Sequence, residues 1–344
     1  MTIQEAIART IERKNLTALE AEKTMEIIMS GEVTDAQIAG LLVALRTKGE
    51  SVDEIAGFAR AMQKKSIYVV TEEKALIDVC GTGGDARGTF NISTTVAFVA
   101  AGAGLSVAKH GNRSVSSRCG SADVLEAAGV HLDLNADEVG RCIDEIGIGF
   151  LYAPNLHPAM KHAVGPRREM GIRTVFNVLG PLTNPARAQV QLLGVYDASL
   201  TERMAEVLRL LGCQSAFVVH GGGGLDELST LGTNRVSRLA GGRVESYDLD
   251  PTSLGLAPAQ LSDLEGGDAT ENAQILRDVL SGQTGPKRDI VLLNASAILV
   301  AAEQVEDLQE GLLLAAEIID SGAAIEHLDA LISMTRRLGG SDDS

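Results

Sequence analysis

Apolar positions recur at helical spacing through the first 65 residues, and the period then changes. Ile38, Leu41, Leu42 and Leu45 fall three and four apart, as do Ile55, Phe58 and Met62. Each set therefore occupies one face of a helix. A hydroxyl followed three residues later by Glu or Gln opens four runs: Thr2…Glu5, Thr17…Glu20, Thr34…Gln37 and Ser51…Glu54. This is the capping-box pattern of a helix start. Gly31 and Gly49 are stop signals. Residues 1–70 are expected to form a small helical domain. Its apolar stripes serve its own core, with a spare stripe available for a dimer interface.

From about Ala75 short β-branched runs alternate with longer helical ones. Strands are expected at Ile77–Cys80, Ser106–Ala108, Ile148–Tyr152, Val190–Gly194 and Ala216–His220. Helices are expected at Thr94–Ala103, Ala122–Ala128, Asp137–Ile146, Leu200–Leu211, Asn272–Ser281 and Arg288–Ala302. Such alternation implies βαβ units and a mostly parallel central sheet. Residues 75–338 are thus expected to form a larger α/β domain, with a hairpin over Arg235–Asp250 turning at Gly241-Gly242. Between Pro154 and Pro185 the rhythm is interrupted. His157-Pro158-Ala159-Met160-Lys161-His162 starts a helix, Ile172–Leu179 is apolar, and Gly180-Pro181-Leu182-Thr183-Asn184-Pro185 is a proline-bounded turn. Part of 155–185 is expected to cross to the helical domain or to cap the sheet. The tail 339–344 is expected to be flexible.

Charge sharpens this picture. The net charge of −16 argues against a general nucleic-acid or acidic-membrane binder. It also requires local cations or a metal wherever a polyanion binds. Cys80, Cys119, Cys142 and Cys213 are far apart and form no CxxC pair. That argues against a zinc site or disulfide framework and fits a reducing cytoplasm. The N-terminus lacks a signal-peptide pattern, and no apolar run approaches a membrane span. The expected location is cytoplasmic, with neither nucleic acid nor membrane as a partner.

Against this acidic background, the 37 residues from Ala86 to Ala122 contain no Asp or Glu. The chain average (46 acids in 344 residues) would place about five there. The same window carries Arg87, Lys109, Arg113 and Arg118. It reads as one wall of an anion site. Just before it, the strand at Ile77–Cys80 runs into Gly81-Thr82-Gly83-Gly84-Asp85. Glycines there let backbone N–H groups approach a ligand, and the following helix offers its N-terminus to an anion. Gly81-x-Gly83-x-x-Ala86 fits a loose dinucleotide fingerprint. The next strand, however, ends in Lys109-His110-Gly111, where that fingerprint needs an acid, and no P-loop sequence occurs.

Asn91-Ile92-Ser93-Thr94-Thr95 reads as an N-cap that also offers hydroxyls and free amides to phosphate oxygens or a metal-bound water. Lys109-His110-Gly111-Asn112-Arg113-Ser114-Val115-Ser116-Ser117 is unusually rich in donors and suits a phosphate or diphosphate. Arg118 and Ser121 continue that lining, and His110 and Asn112 are placed to face a second substrate. Asp226-Glu227 follows Gly221-Gly222-Gly223-Gly224. The pair is either two solvated acids or the ligands of a hard cation such as Mg²⁺. Arg167-Arg168 is either surface charge or a clamp for a carboxylate.

Taken together, these segments resemble the anthranilate phosphoribosyltransferase family. The resemblance also rests on His157-Pro158-Ala159-Met160, Arg167-Arg168-Glu169 and Asn177-Val178-Leu179-Gly180-Pro181-Leu182-Thr183-Asn184-Pro185, and in order and spacing it extends from Met1 to about Leu338. It implies the two-domain fold shared with nucleoside phosphorylases, and a homodimer formed through the helical domains. It implies transfer of the phosphoribosyl group of 5-phosphoribosyl 1-pyrophosphate to the amine of anthranilate, releasing pyrophosphate, in tryptophan biosynthesis. The implied phosphoribosyl pyrophosphate residues are Gly81, Gly84, Asp85, Thr89, Asn91, Ile92, Ser93, Thr94, Lys109, His110, Gly111, Asn112, Arg113, Ser114, Val115, Ser116, Ser117 and Ser121. Gly81, Asn112 and Arg167 go with anthranilate, and Ser93, Asp226 and Glu227 with Mg²⁺, as two ions.

No nucleophile–base pair with a recognisable signature is present, which suits direct displacement with oxocarbenium character, driven by positioning and electrostatics. His110 and Asn112 are read as positioning groups. Two alternatives are a pyrimidine-nucleoside phosphorylase and a non-catalytic nucleic-acid-binding relative of the same fold. The Lys109–Asn112 run and Arg167 speak against the first, and the net charge and the Asp226-Glu227 pair against the second.

Overall fold

Four capping boxes set the first four helices of the chain, α1 (Ile3–Ile11), α2 (Ala18–Ser30), α3 (Asp35–Lys48) and α4 (Val52–Lys65). Each expected hydroxyl accepts the N3 backbone N–H, and each N3 side chain returns to the cap. The computed structural model describes residues 1–73, 75–114 and 118–340. Residues 341–344 of the expected tail, and Val115, Ser116 and Ser117 of the expected phosphate loop, lie outside the described residues.

Glu54 does more than close its capping box. Its carboxylate is fully buried, accepts from Leu16 N (2.9 Å) and Ser51 N (2.8 Å), and pairs with the buried Lys48 ammonium at 2.7 Å. Removing one member of such a pair strands the other. Glu54→Ala is expected to destabilise the protein by about 3 kcal/mol in urea unfolding. A loss below about 0.5 kcal/mol, the scale of a surface substitution, would contradict that reading.

The α/β part follows in the order β1 (Leu76–Gly81), α5 (Ile92–Gly102), β2 (Ser106–Gly111), α6 (Ser121–Ala128), α7 (Ala136–Ile146) and β3 (Ile148–Tyr152). The interruption supplies α8 (Ala153–Leu156), α9 (Lys161–Met170) and α10 (Phe176–Leu179). Then come β4 (Val190–Gly194), α11 (Leu200–Leu211), β5 (Ser215–His220), β6 (Asn234–Ala240), β7 (Arg243–Leu249), α12 (Ala269–Leu280), α13 (Pro286–Ala301), α14 (Leu308–Asp320) and α15 (Ala323–Leu338).

The seven strands form one sheet in the order β3-β2-β1-β4-β5-β6-β7. The first five are parallel, and β6 and β7 are antiparallel. The expected hairpin is β6–β7, turning at Gly241 and Gly242 with φ 55° and 75°, as a two-residue primed turn requires. The order of strands reverses between β1 and β4. In open α/β sheets ligands bind at the carboxyl ends of the strands beside such a reversal.

Alternation along the strands divides the core. Ile77, Val79, Leu192, Phe217 and Val219 join a core with α5 and α12–α15. Cys80, Leu193, Ala216 and Val218 face the opposite core, which is shared with α1–α4. α11 bridges the two parts, packing on α4 and on β5 and β6, and α9 packs on α2 and α3. Among the described residues no helix is long and apolar enough to cross a membrane.

Two features depart from expectation. β2 continues to Gly111, so Lys109 and His110 are strand residues rather than loop residues. No helix was expected after Ala302, yet α14 and α15 follow. The signal for α14 was Asp307, whose side chain accepts Glu310 N at 2.9 Å.

Candidate active site

The glycine loop leaves β1 at the strand-order reversal and is tied on several sides. Thr82 N donates to Gly194 O (2.9 Å), Tyr196 N donates to Thr82 Oγ1 (3.1 Å), and Gly83 N donates to Asp226 Oδ2 (2.7 Å). A Cβ at Gly81 would stand 2.6 Å from Asp226 Oδ2, so glycine is what lets the acid lie against the loop. The N–H groups of Gly84 and Asp85 have no protein partner among the described residues, and consecutive free amides of this kind favour an anion.

Asp226 and Glu227 reach the site from beyond β5. Glu227 is buried, and its Oε1 accepts Ser93 N at the start of α5 (3.2 Å). Burial, and then the charge of Asp85, push the Asp226 carboxyl up to about 7. Burial and the Asp226 charge push Glu227 well up. By exposed area Asp226 is only partly covered, but its carboxylate sits among packed atoms next to like charge. The cation facing these acids is Lys109, itself buried, with Nζ donating to Val79 O at 2.6 Å. Acids whose ionisation is held back in this way gain from a divalent ion. Among the described residues no three His, Cys, Asp or Glu side chains form a group able to hold a metal alone. Mg²⁺ does not need one, because it takes one or two carboxylates together with substrate phosphates and waters. The donor set of Asp226, Glu227 and Ser93 fits an ion that arrives with a diphosphate.

Asn91 occupies the N-cap position of α5, but its side chain does not cap the helix, contrary to expectation. It donates to Cys119 O (3.2 Å) and accepts from Asn272 Nδ2 (3.0 Å), so it joins the two loops around the site to α12. Ile92 is core and offers only its backbone. Thr94 is buried, and its Oγ1 has no partner among the described residues. Thr89 pairs with Glu265 in an isolated bridge. After Gly111, Asn112 N donates to Ser121 Oγ (3.2 Å), and Ser114 N donates to Asp123 Oδ2 (3.0 Å).

Arg113 is not a free cation here. It grips Glu126 through two nitrogens (2.7 and 2.8 Å) and reaches Asp123 (3.1 Å), acids just past the acid-free window. Arg87 and Arg118 have no carboxylate partner among the described residues.

On the side of the interruption, His110 Nε2 and His157 Nε2 lie 3.2 Å apart, both buried. Burial lowers His157 to about 4, and burial with the neighbouring His157 and Lys109 charges lowers His110 well below its ordinary value. The pair is neutral at pH 7, which makes His110 a weak base and fits the positioning role. A lowered His pKa gives stability that is present above the ordinary 6.5 and is lost as pH falls towards the folded value. Between pH 6.5 and 4 the wild-type melting temperature is expected to drop more steeply than that of His157→Gln. Parallel profiles would contradict this.

Arg167 lies on α9, half-buried, with its guanidinium 5.0 Å from the centre of the Phe176 ring. It has no carboxylate partner among the described residues, and burial lowers its pKa. Arg168 is exposed.

Sequence reasoning missed the anchor beneath the site. Asp78, fully buried, accepts from His110 N (3.2 Å) and Asn184 Nδ2 (2.9 Å), while Asn184 Nδ2 also donates to Ala108 O (2.8 Å). The proline-bounded turn is thereby pinned to β1 and β2. A lone acid inside the apolar run Leu76–Cys80 was the available signal.

These features define a glycosyl-transferring enzyme of two parts. Residues 73–325 match the glycosyl transferase family a/b domain, and residues 4–66 match the helical bundle domain of a glycosyl transferase family. The chain belongs to the anthranilate phosphoribosyltransferase family. It is 56% identical over 327 residues to the anthranilate phosphoribosyltransferase of Moorella thermoacetica, covering 95% of this chain and 96% of the relative. It is 54% identical over 332 residues to that of Symbiobacterium thermophilum, covering 96% and 97%. Among solved structures, the enzyme of Thermus thermophilus superposes with a TM-score of 0.92 at 46% identity, covering 96% of this chain and 99% of that one. The Saccharomyces cerevisiae enzyme in complex with PRPP and Mg superposes at 0.89 with 29% identity, covering 98% of each. The relatives side with the transferase over the phosphorylase and the nucleic-acid binder weighed above.

Proposed function

We propose that this chain transfers the phosphoribosyl group of 5-phosphoribosyl 1-pyrophosphate to the amine of anthranilate, yielding N-(5-phosphoribosyl)anthranilate and pyrophosphate in tryptophan biosynthesis. The observation that carries the reading is the meeting of a glycine loop with free amides and the acids Asp226 and Glu227 at one strand-order reversal. On that reading the Gly84 and Asp85 amides, the start of α5 at Asn91–Thr94 and the Gly111–Ser121 segment hold phosphoribosyl pyrophosphate. Asp226, Glu227 and Ser93 hold Mg²⁺, as two ions. Bound there, Mg²⁺ supplies charge neutralisation for the departing diphosphate.

The protein's own part is alignment. Arg167 takes the anthranilate carboxylate, while Asn112 and the neutral His110 fix the ring, so that the amine faces the anomeric carbon. An aniline-type amine is unprotonated at neutral pH and needs no strong base to attack. Anomeric displacement then proceeds with oxocarbenium character, and the negative charge grows on the side lined by backbone donors.

Residues 1–70 with α9 form the helical domain on this reading. α1 and α9 both pack on α3, and Ile11, Val43 and Val164 on these helices stay exposed, which supports a homodimer through this face. Four cysteines without disulfides support a cytoplasmic location. Pyrophosphate release that requires both anthranilate and phosphoribosyl pyrophosphate tests the reaction. Phosphate-dependent cleavage of thymidine or uridine without such release would instead make the chain a nucleoside phosphorylase.

A further inference from the structure

Arg173 stands three residues past α9, on the segment that carries Arg167. Its guanidinium donates to Gly84 O and stacks over the Tyr196 ring at 4.4 Å. Tyr196 in turn holds the same loop through its N–H to Thr82 Oγ1 (3.1 Å). At Gly84, φ is 80°, and a Cβ there would stand 3.4 Å from the Arg173 guanidinium, so backbone and arginine meet with no side chain between them. On its other side the loop is held by Asp226 through Gly83 N (2.7 Å). The Gly84–Asp85 peptide is planar, so turning its carbonyl towards Arg173 turns the Asp85 N–H the opposite way. That N–H has no protein partner among the described residues.

We propose that Arg173 is a positioning residue that orients the glycine loop for the phosphoribosyl pyrophosphate. The proposal rests on the reading given under Proposed function. Arg173 is exposed, so its contact contributes little to the fold, as exposed polar contacts generally do. Its role is to choose one of several orientations open to a glycine-rich backbone. Tyr196 shares that role because its ring is the platform on which the guanidinium lies.

The test is calorimetric titration of Mg²⁺·phosphoribosyl pyrophosphate into wild type, Arg173→Ala, Arg173→Lys and Tyr196→Leu, with Michaelis constants measured in parallel. Arg173→Ala is expected to weaken binding about tenfold, the scale of a misplaced binding group. Tyr196→Leu is expected to weaken it about threefold by the same mechanism. Arg173→Lys, which keeps the donor, should recover part of the loss. The Michaelis constant for anthranilate should change less than about twofold and the melting temperature by no more than about 2 °C, because no fold contact is lost. Wild-type affinity in Arg173→Ala, equal rises in both Michaelis constants, or no effect of Tyr196→Leu would overturn the proposal. The titration does not depend on turnover. A wild type that binds the ligand but leaves anthranilate untouched would sink the transferase reading and leave the titration to judge Arg173.

Discussion

Arg167→Ala is expected to raise the Michaelis constant for anthranilate roughly 30-fold, the effect of losing about 2 kcal/mol of charge-assisted hydrogen bonding. The Michaelis constant for phosphoribosyl pyrophosphate should hardly move. The reason lies in the site. This guanidinium is half-buried, its charge is disfavoured by burial, and no protein carboxylate answers it among the described residues. A ligand carboxylate would complete it. Arg167→Lys should recover little, since a planar fork cannot be replaced by a point charge. Equal rises for both substrates would remove Arg167 from the anthranilate site and leave it as packing against Phe176.

Asp226→Asn is expected to separate stability from activity. The substitution removes a charge that burial and Asp85 already disfavour. The metal-free protein should therefore melt no lower than wild type, and slightly higher above pH 7, where the native carboxyl is ionised. Activity should move the other way, with kcat/KM falling roughly 100-fold and the Mg²⁺ concentration for half-maximal rate rising about tenfold, the scale of a lost electrostatic contact to the metal. The same separation should hold for Glu227→Gln, whose loss also frees Ser93 N. An unchanged Mg²⁺ titration in both variants would take these acids out of the metal site.

The helical domain was legible almost residue by residue, because capping boxes and apolar spacing are local signals and the helices obey them. The parallel sheet was legible as a rhythm, and its hairpin as Gly241-Gly242. Strand order was not, because it depends on which strands meet after α9 and α10, which no local pattern encodes. The site was legible as a list of donors and acids, but not as a set of contacts. The acid-free window pointed to four cations for an anion. Folding leaves two of them without a carboxylate, Arg87 and Arg118. It spends Arg113 on Asp123 and Glu126, and sinks Lys109 beneath the acids. Asn91 reads as a cap from its position and serves as a brace because Asn272 lies within reach. Asp78, Arg173 and His157 act through long-range contacts, and their neighbours in sequence say little about them.

The most direct test of the whole account is the fluorescence of anthranilate after mixing with the protein, phosphoribosyl pyrophosphate and Mg²⁺. The account predicts that it decays to completion only when all four are present, with one pyrophosphate released for each anthranilate consumed. Steady fluorescence across pH and Mg²⁺ concentration, with a folded protein that binds phosphoribosyl pyrophosphate, would contradict it.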